Sequence, residues 1–194
     1  YIGTVAANGT ATIGTMQDLT TLLGYSTTHN DITWDATASR LLISYMDTGG
    51  GKINSLTISG HVATKEDELV ITTTAFSAQK QYSWNKLDYD ATIGKTVWVR
   101  STQNNTSGSL TVNVSYLTLS GGTVTEGNST TFSEVTNSYA SYSMSNDLGT
   151  IMLKWKDQSN NSYTRLITDN AGTPQVGNRS GAFTGWADIT KPVY

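Results

Sequence analysis

The chain has 194 residues, 37% hydrophobic and only 14% charged, with a formal net charge of −3, no Cys, two Pro and two His. That length suits one domain or one slice of a longer repeated chain, and the charge fraction falls well below the roughly 25% usual in globular proteins. The absence of Cys excludes a disulfide framework and thiol chemistry, and an acidic chain poor in Lys and Arg is a poor electrostatic match for DNA or RNA.

In chain order, Ile2–Val5 and Thr10–Gly14 read as two short β-like runs. Met16, Leu19, Leu22 and Leu23 have the only helix-like spacing, which a strand plus connection fits equally well. Next come Asp31-Ile32-Thr33-Trp34-Asp35-Ala36-Thr37 and Arg40 to Asp47. A shift of 55 residues brings Asp88-Tyr89-Asp90-Ala91-Thr92 and Lys95 to Arg100 into the same register, and a second shift of 55 brings Ser143 to Asp147 and Thr150 to Asp157. Trp34, Tyr89 and Met144 then coincide, as do Leu42, Val97 and Met152. Gly94 and Gly149 share the turn position where Ser39 stands first. Later halves match too: Leu56-Thr57-Ile58-Ser59-Gly60 resembles Leu117-Thr118-Leu119-Ser120-Gly121 and, more weakly, Leu166-Ile167-Thr168. The copies close on Ala75-Phe76-Ser77, Thr131-Phe132-Ser133 and Ala182-Phe183-Thr184.

The spacing predicts four short strands per copy. In residues 81–136 they are Trp84 to Asp90, Thr96 to Ser101, Leu110 to Leu119 with a phase slip and candidate bulge at Tyr116-Leu117, and Thr130 to Val135. Leu41-Leu42-Ile43 and Ile151-Met152-Leu153 are continuous apolar runs, expected of strands covered on both faces. The expected fold is all-β: antiparallel four-stranded repeats stacked as β-propeller blades, about three and a half of them. The divisions are a half blade at 1–24, blades at 25–80, 81–136 and 137–185, and a closing or linker segment at 186–194. An intertwined trimeric β-fibre and a β-sandwich are the alternatives. Three and a half blades are fewer than the roughly four of a closed propeller. Closure therefore requires residues upstream of Tyr1, a return of 186–194 onto the opening half blade, or several chains. Tyr1 in place of Met suggests a processed product or a portion of something larger.

The stretch Tyr89-Asp90-Ala91-Thr92…Gly94-Lys95-Thr96-Val97-Trp98-Val99, a polar Asn/Ser/Gly loop, a strand ending in Leu119-Ser120-Gly121 and the closing Thr130-Thr131-Phe132 resemble the roughly 50-residue repeats of large tail-fibre and virion structural proteins of marine and cyanobacterial phages. The resemblance covers nearly the whole chain through motifs of low specificity. It departs at Thr96, where an apolar residue is usual, and at residues 62–71, which insert Glu66-Asp67-Glu68. It implies a virion-appendage role.

The chemical inventory is sparse. His29 and His61 stand apart, Gly49-Gly50-Gly51-Lys52 lacks the Ser/Thr and the context of a phosphate loop, and no Gly-x-Ser-x-Gly occurs. Asp35, Asp90, Asp47 and Asp157 recur with the repeat, which points to turn capping, because a catalytic pair occurs once per site. Ser145-Asn146-Asp147-Leu148-Gly149 partly matches the Asp-box of sialidase-type propellers but lacks its continuation. Asp88 and Asp90 share a strand face and are a weak calcium candidate. Trp34, Tyr89 and Met144 read as blade core. Trp98 with Arg100, Tyr82 with Trp84, and Trp186 with Arg179 have no consistent repeat equivalents and are the candidate ligand contacts, since flat amphipathic rings suit pyranose stacking. No catalytic residue, metal or cofactor is expected.

The expectation is a non-enzymatic extracellular or virion-appendage protein, structural or attaching to host surface glycans. Its partners would be other copies, other virion or appendage proteins, or cell-surface glycans. Nucleic acid is not among them, nor is a membrane, since no apolar run approaches the roughly 20 residues of a span and no basic-then-apolar signal opens the chain. A propeller-type lectin is the alternative, and a glycosidase-like propeller the third reading.

Overall fold

The computed structural model describes residues 3–5, 10–14, 16–23, 28–47, 50–71, 84–104, 109–135, 143–147, 150–156 and 161–184. The described chain is all-β apart from one five-residue helix. A small hairpin, β1 (Gly3–Val5) with β2 (Ala11–Ile13), precedes α1 (Leu19–Leu23). Asp18 starts that turn: its carboxylate accepts the Thr20 N–H at 2.9 Å and its carbonyl accepts the Leu22 N–H.

Three antiparallel meanders follow. The first sheet is β3 (Thr28–Asp35), β4 (Arg40–Asp47), β5 (Gly50–Ser59) and β6 (Val62–Ile71) in that order. The second is β7 (Trp84–Asp90), β8 (Lys95–Asn104), β9 (Ser109–Ser120) and β10 (Thr123–Val135). The third is β11 (Ser143–Asp147), β12 (Thr150–Lys156), β13 (Asn161–Asn170) and β14 (Thr173–Val176). In it, β15 (Phe183–Thr184) resumes the pairing along β13 after residues 177–182. Phe183 faces Ser162 there as Phe132 faces Val112 in the second sheet, so β14 and β15 act as one interrupted fourth strand.

Local chemistry explains the hairpins. The first turn of the first two sheets is four residues long and ends on a left-handed residue, Ser39 (φ 54°) or Gly94 (φ 64°). In both, the aspartate opening the turn takes up backbone donors. Asp35 accepts from Ala38 N–H at 2.9 Å, and Asp90 from Thr92 N–H at 2.8 Å. The third-to-fourth-strand hairpins are two-residue turns in all three sheets, with positive φ at Gly60, at Gly121 and Gly122, and at Ala171 and Gly172.

Consecutive sheets pack face to face because the central strands are apolar on both sides. Leu42 and Ile53 of the first sheet meet Leu87, Trp98, Leu117 and Val124 of the second. The opposite face of the second, Val97, Val99, Val112, Val114 and Tyr116, meets Ile151, Leu153 and Ile167 of the third. Leu23 covers Ile43, Tyr45 and Leu56 on the outer face of the first sheet. Each such side chain contributes roughly 1.5–3 kcal/mol by leaving water. Polar ties align the layers. The buried Asp35 accepts the Thr96 hydroxyl at 2.8 Å, Asp31 accepts the Leu87 N–H at 2.8 Å, and the Thr37 and Tyr89 hydroxyls bond at 2.8 Å.

Several expectations need correction. The bulge is not in β9, whose register with β8 runs unbroken from Thr96↔Leu117 to Asn104↔Ser109. It lies in β10, where Gly127 and Asn128 both oppose Tyr116, so the fourth strand starts at Thr123 rather than Thr130. Tyr116 and Leu117 are both buried because the sheet is covered on both sides. In the third copy, Ile167 rather than Leu166 occupies the place of Leu56 and Leu117, and Leu166 is 51% exposed. A one-residue slip in alignment exchanges the two faces. Met144 pairs with Leu153 as Ile32 pairs with Ile43 and Leu87 with Trp98, leaving Asn146 in the slot of Trp34 and Tyr89. Trp34 itself is 45% exposed and Tyr89 only partly buried, so that slot is not core.

Candidate functional site

The residues singled out from sequence separate into three groups. Trp98 and Arg100 are not surface groups, which corrects their reading as ligand contacts. Trp98 is fully buried on β8 between the first two sheets, and its indole N–H donates to Asn85 Oδ1 at 2.6 Å. Arg100, also buried, stacks 4.4 Å from the Trp98 ring, ion-pairs with Glu126 at 2.6 Å and donates to the Ser115 hydroxyl. Burial of an arginine is tolerable only with such partners. Arg179 is exposed and stacks 4.6 Å from the Tyr163 ring. Tyr82 and Trp186 lie outside the described residues, and so does the side chain of Trp84, whose backbone pairs with Ser101.

The carboxylates serve the scaffold. Asp90 is buried and bonded to its own turn, and Asp88 accepts the Tyr89 N–H at 3.1 Å. Among the described residues no group of three His, Cys, Asp or Glu side chains comes together, so this calcium candidate has no third side-chain ligand. Across the second interface the Tyr116 hydroxyl donates to Asp169. Burial first, then that bond and the charges of Asp169 and Asp90, push its ionisation well above the usual tyrosine range.

An open recess lies at the outer edge between the second and third sheets. Thr130, Asn170, Thr173, Gln175 and Val176 line a cleft of about 530 Å³. The backbone of β10 and β14 shapes it. Asn128 Nδ2 donates to the Gly172 carbonyl and the Thr173 hydroxyl, both at 3.1 Å, and the Thr130 hydroxyl donates to the Pro174 carbonyl. Nearby, the Arg165 guanidinium lies 4.8 Å from the Phe132 ring and donates to the Gly177 carbonyl at 2.6 Å.

Comparison of the two interfaces shows why the cleft opens at the second. The bulges of β6 and β10 occupy the same place, so that Lys65, Glu66 and Asp67 correspond to Glu126, Gly127 and Asn128. In the first interface Glu66 abuts Gly122 and pairs with Arg40, while Asp67 accepts the Val124 N–H at 2.8 Å. In the second, Gly127 contributes no side chain. The counterpart of Val124 is Pro174, which has no N–H, and the counterpart of Asp67 is the donor Asn128. Among the described residues the lining is left with hydroxyls, amides and the Val176 side chain, an arrangement that can bond a neutral polyhydroxylated ligand. Sequence reasoning missed these residues. The available signal was Gly127 standing where Glu66 stands one repeat earlier.

No family model matches the chain, and no curated protein matches it.

Proposed function

We propose that the protein is a repeat-built module of an extracellular or virion appendage, tail-fibre-like, whose sheets are set as propeller-like blades and whose outer edge attaches to surface glycans without turning them over. The observation that carries the reading is the change of the bulge from Glu66-Asp67 to Gly127-Asn128. The buried layers keep one plan from unit to unit, while the exposed edge between units changes from an ion-paired seam to an uncharged cleft. A scaffold of repeated layers with variable outer edges suits presentation of a binding surface. Asn170 and Gln175 each offer a donor and an acceptor, and a pair of adjacent sugar hydroxyls is matched by such amides.

The test is a glycan array followed by calorimetry on the hits, with Asn170→Ala and Gln175→Ala as exposed-site variants. Selective binding that weakens at least about 10-fold in the double variant is the expected result. A folded protein that binds no glycan, or whose binding ignores both substitutions, defeats the attachment reading. The same experiment serves the second reading, a propeller-type lectin, for which binding would be the whole function rather than an accessory to an appendage. Turnover of a polysaccharide, abolished by a single Asp→Asn change, would replace both with the glycosidase reading.

A further inference from the structure

The two ends of the stack carry the halves of an interface the chain already makes twice. On the face that each sheet turns towards its predecessor, Leu87 of the second sheet is 3% exposed beneath the first sheet, and Tyr89 bonds Thr37 of that sheet. The corresponding residues of the first sheet are Ile32 and Trp34. Helix α1 covers the neighbouring Ile43, Tyr45 and Leu56, yet Ile32 remains 55% exposed and Trp34 45%. An end face meant for water would place polar residues there.

At the other end, the residues with which a sheet covers its successor are Leu42 on the first sheet and Val97 on the second, both fully buried. The third sheet has Met152 at that place. It pairs across strands with the exposed Leu166, and the buried Lys154 lies two residues further along the same face.

We propose that the Ile32–Trp34 face of one chain docks on the Met152–Leu166 face of a second copy, head to tail, repeating between chains the sheet-on-sheet contact found within one. Such a contact is heterologous: it closes into a ring if the rotation permits, and otherwise extends. The inference rests on the equivalence of the repeats in the reading above, not on glycan binding.

The test is the molar mass of the whole 194-residue chain by light scattering at tens of micromolar, against 20.8 kDa for one chain. The expected mass is a multiple of that value. Trp34→Glu and Leu166→Glu, both at exposed sites, should each give monomers. An equimolar mixture of the two should give a species of two chains, because one intact socket then meets one intact plug. A monomeric wild type overturns the proposal, and so does a Leu166→Glu protein that keeps its full assembly, which would mean face-to-face pairing of Trp34 surfaces. Should either variant lose its β-type circular dichroism, a photo-cross-linking phenylalanine at position 32 in the otherwise native chain decides. Capture of peptides containing Met152 or Leu166 from another chain supports docking, and capture elsewhere overturns it. A monomer that still binds glycan would end this inference and leave the attachment reading standing.

Discussion

The exchange of Asp67–Val124 for Asn128–Pro174 allows a double-mutant cycle. In Asn128→Asp the Thr173 hydroxyl can rotate and donate to the new carboxylate, but the Gly172 carbonyl, now 3.1 Å from an Asn nitrogen, would face an oxygen. One hydrogen bond is lost, worth about 1 kcal/mol, and oxygen–oxygen repulsion adds to it. The expected destabilisation is about 1–2 kcal/mol, at the lower end because Asn128 is exposed. Pro174→Val alone creates an N–H at a buried backbone position that Asn128 can accept only by turning its amide and giving up the Nδ2 bond to the Gly172 carbonyl, a cost of about 1 kcal/mol. Together the two changes recreate the first interface, where the carboxylate of Asp67 receives the N–H of Val124 at 2.8 Å. The double variant should therefore lie near the wild type, with a coupling energy of about 1–2 kcal/mol. Urea unfolding followed by circular dichroism resolves this, since about 1.5 kcal/mol shifts the midpoint by roughly 0.7 M at an m of about 2 kcal/mol/M. Strict additivity of the two single changes would refute the equivalence of the interfaces.

Three further outcomes follow from the packing. Asp35→Ala removes a buried acceptor of the Thr96 hydroxyl and the Ala38 N–H, and should cost about 2–4 kcal/mol in the same urea assay. Ser39→Gly should raise the unfolding midpoint by up to about 1 kcal/mol equivalent, because Ser39 sits at φ 54° where the second unit has Gly94. Tyr116 binds its proton more tightly folded than unfolded, so the unfolded chain loses that proton first as pH rises past about 10. The stability Tyr116 contributes is intact below that pH and declines above it. Tyr116→Phe should show a shallower loss of stability above about pH 10, recorded by urea unfolding at a series of alkaline pH values.

The repeat was legible because the second strand of each unit carries apolar side chains on both faces. Leu42, Val97 and Met152 align, and the alternation of Val97 and Val99 against Trp98 matches the faces they take. Strand β7 spans the residues read as the first run of its unit. Features that depend on distant partners were less legible. The burial of Arg100 is set by Glu126, 26 residues away on the fourth strand, and nothing in the local pattern of β8 signals it. The registers of Met144 and Leu166 were misread because the third unit has a shorter first turn and a shifted second half, and alignment by residue type does not see a displacement of one or two positions. The cleft needed two coincident details, a glycine in a bulge and a proline opposite it.

Chains assembled from near-duplicate segments run a particular hazard: any segment can settle beside the wrong neighbour while the molecule is forming. Placed beside the third unit instead of the second, the first unit would set its Asp67 carboxylate against the Gly172 carbonyl and against Pro174, which has no N–H to offer in place of that of Val124. The seams thus act as keys of different cut. They encode the order of the segments, so a version with its second and third units transposed should assemble poorly even though every segment it contains is native.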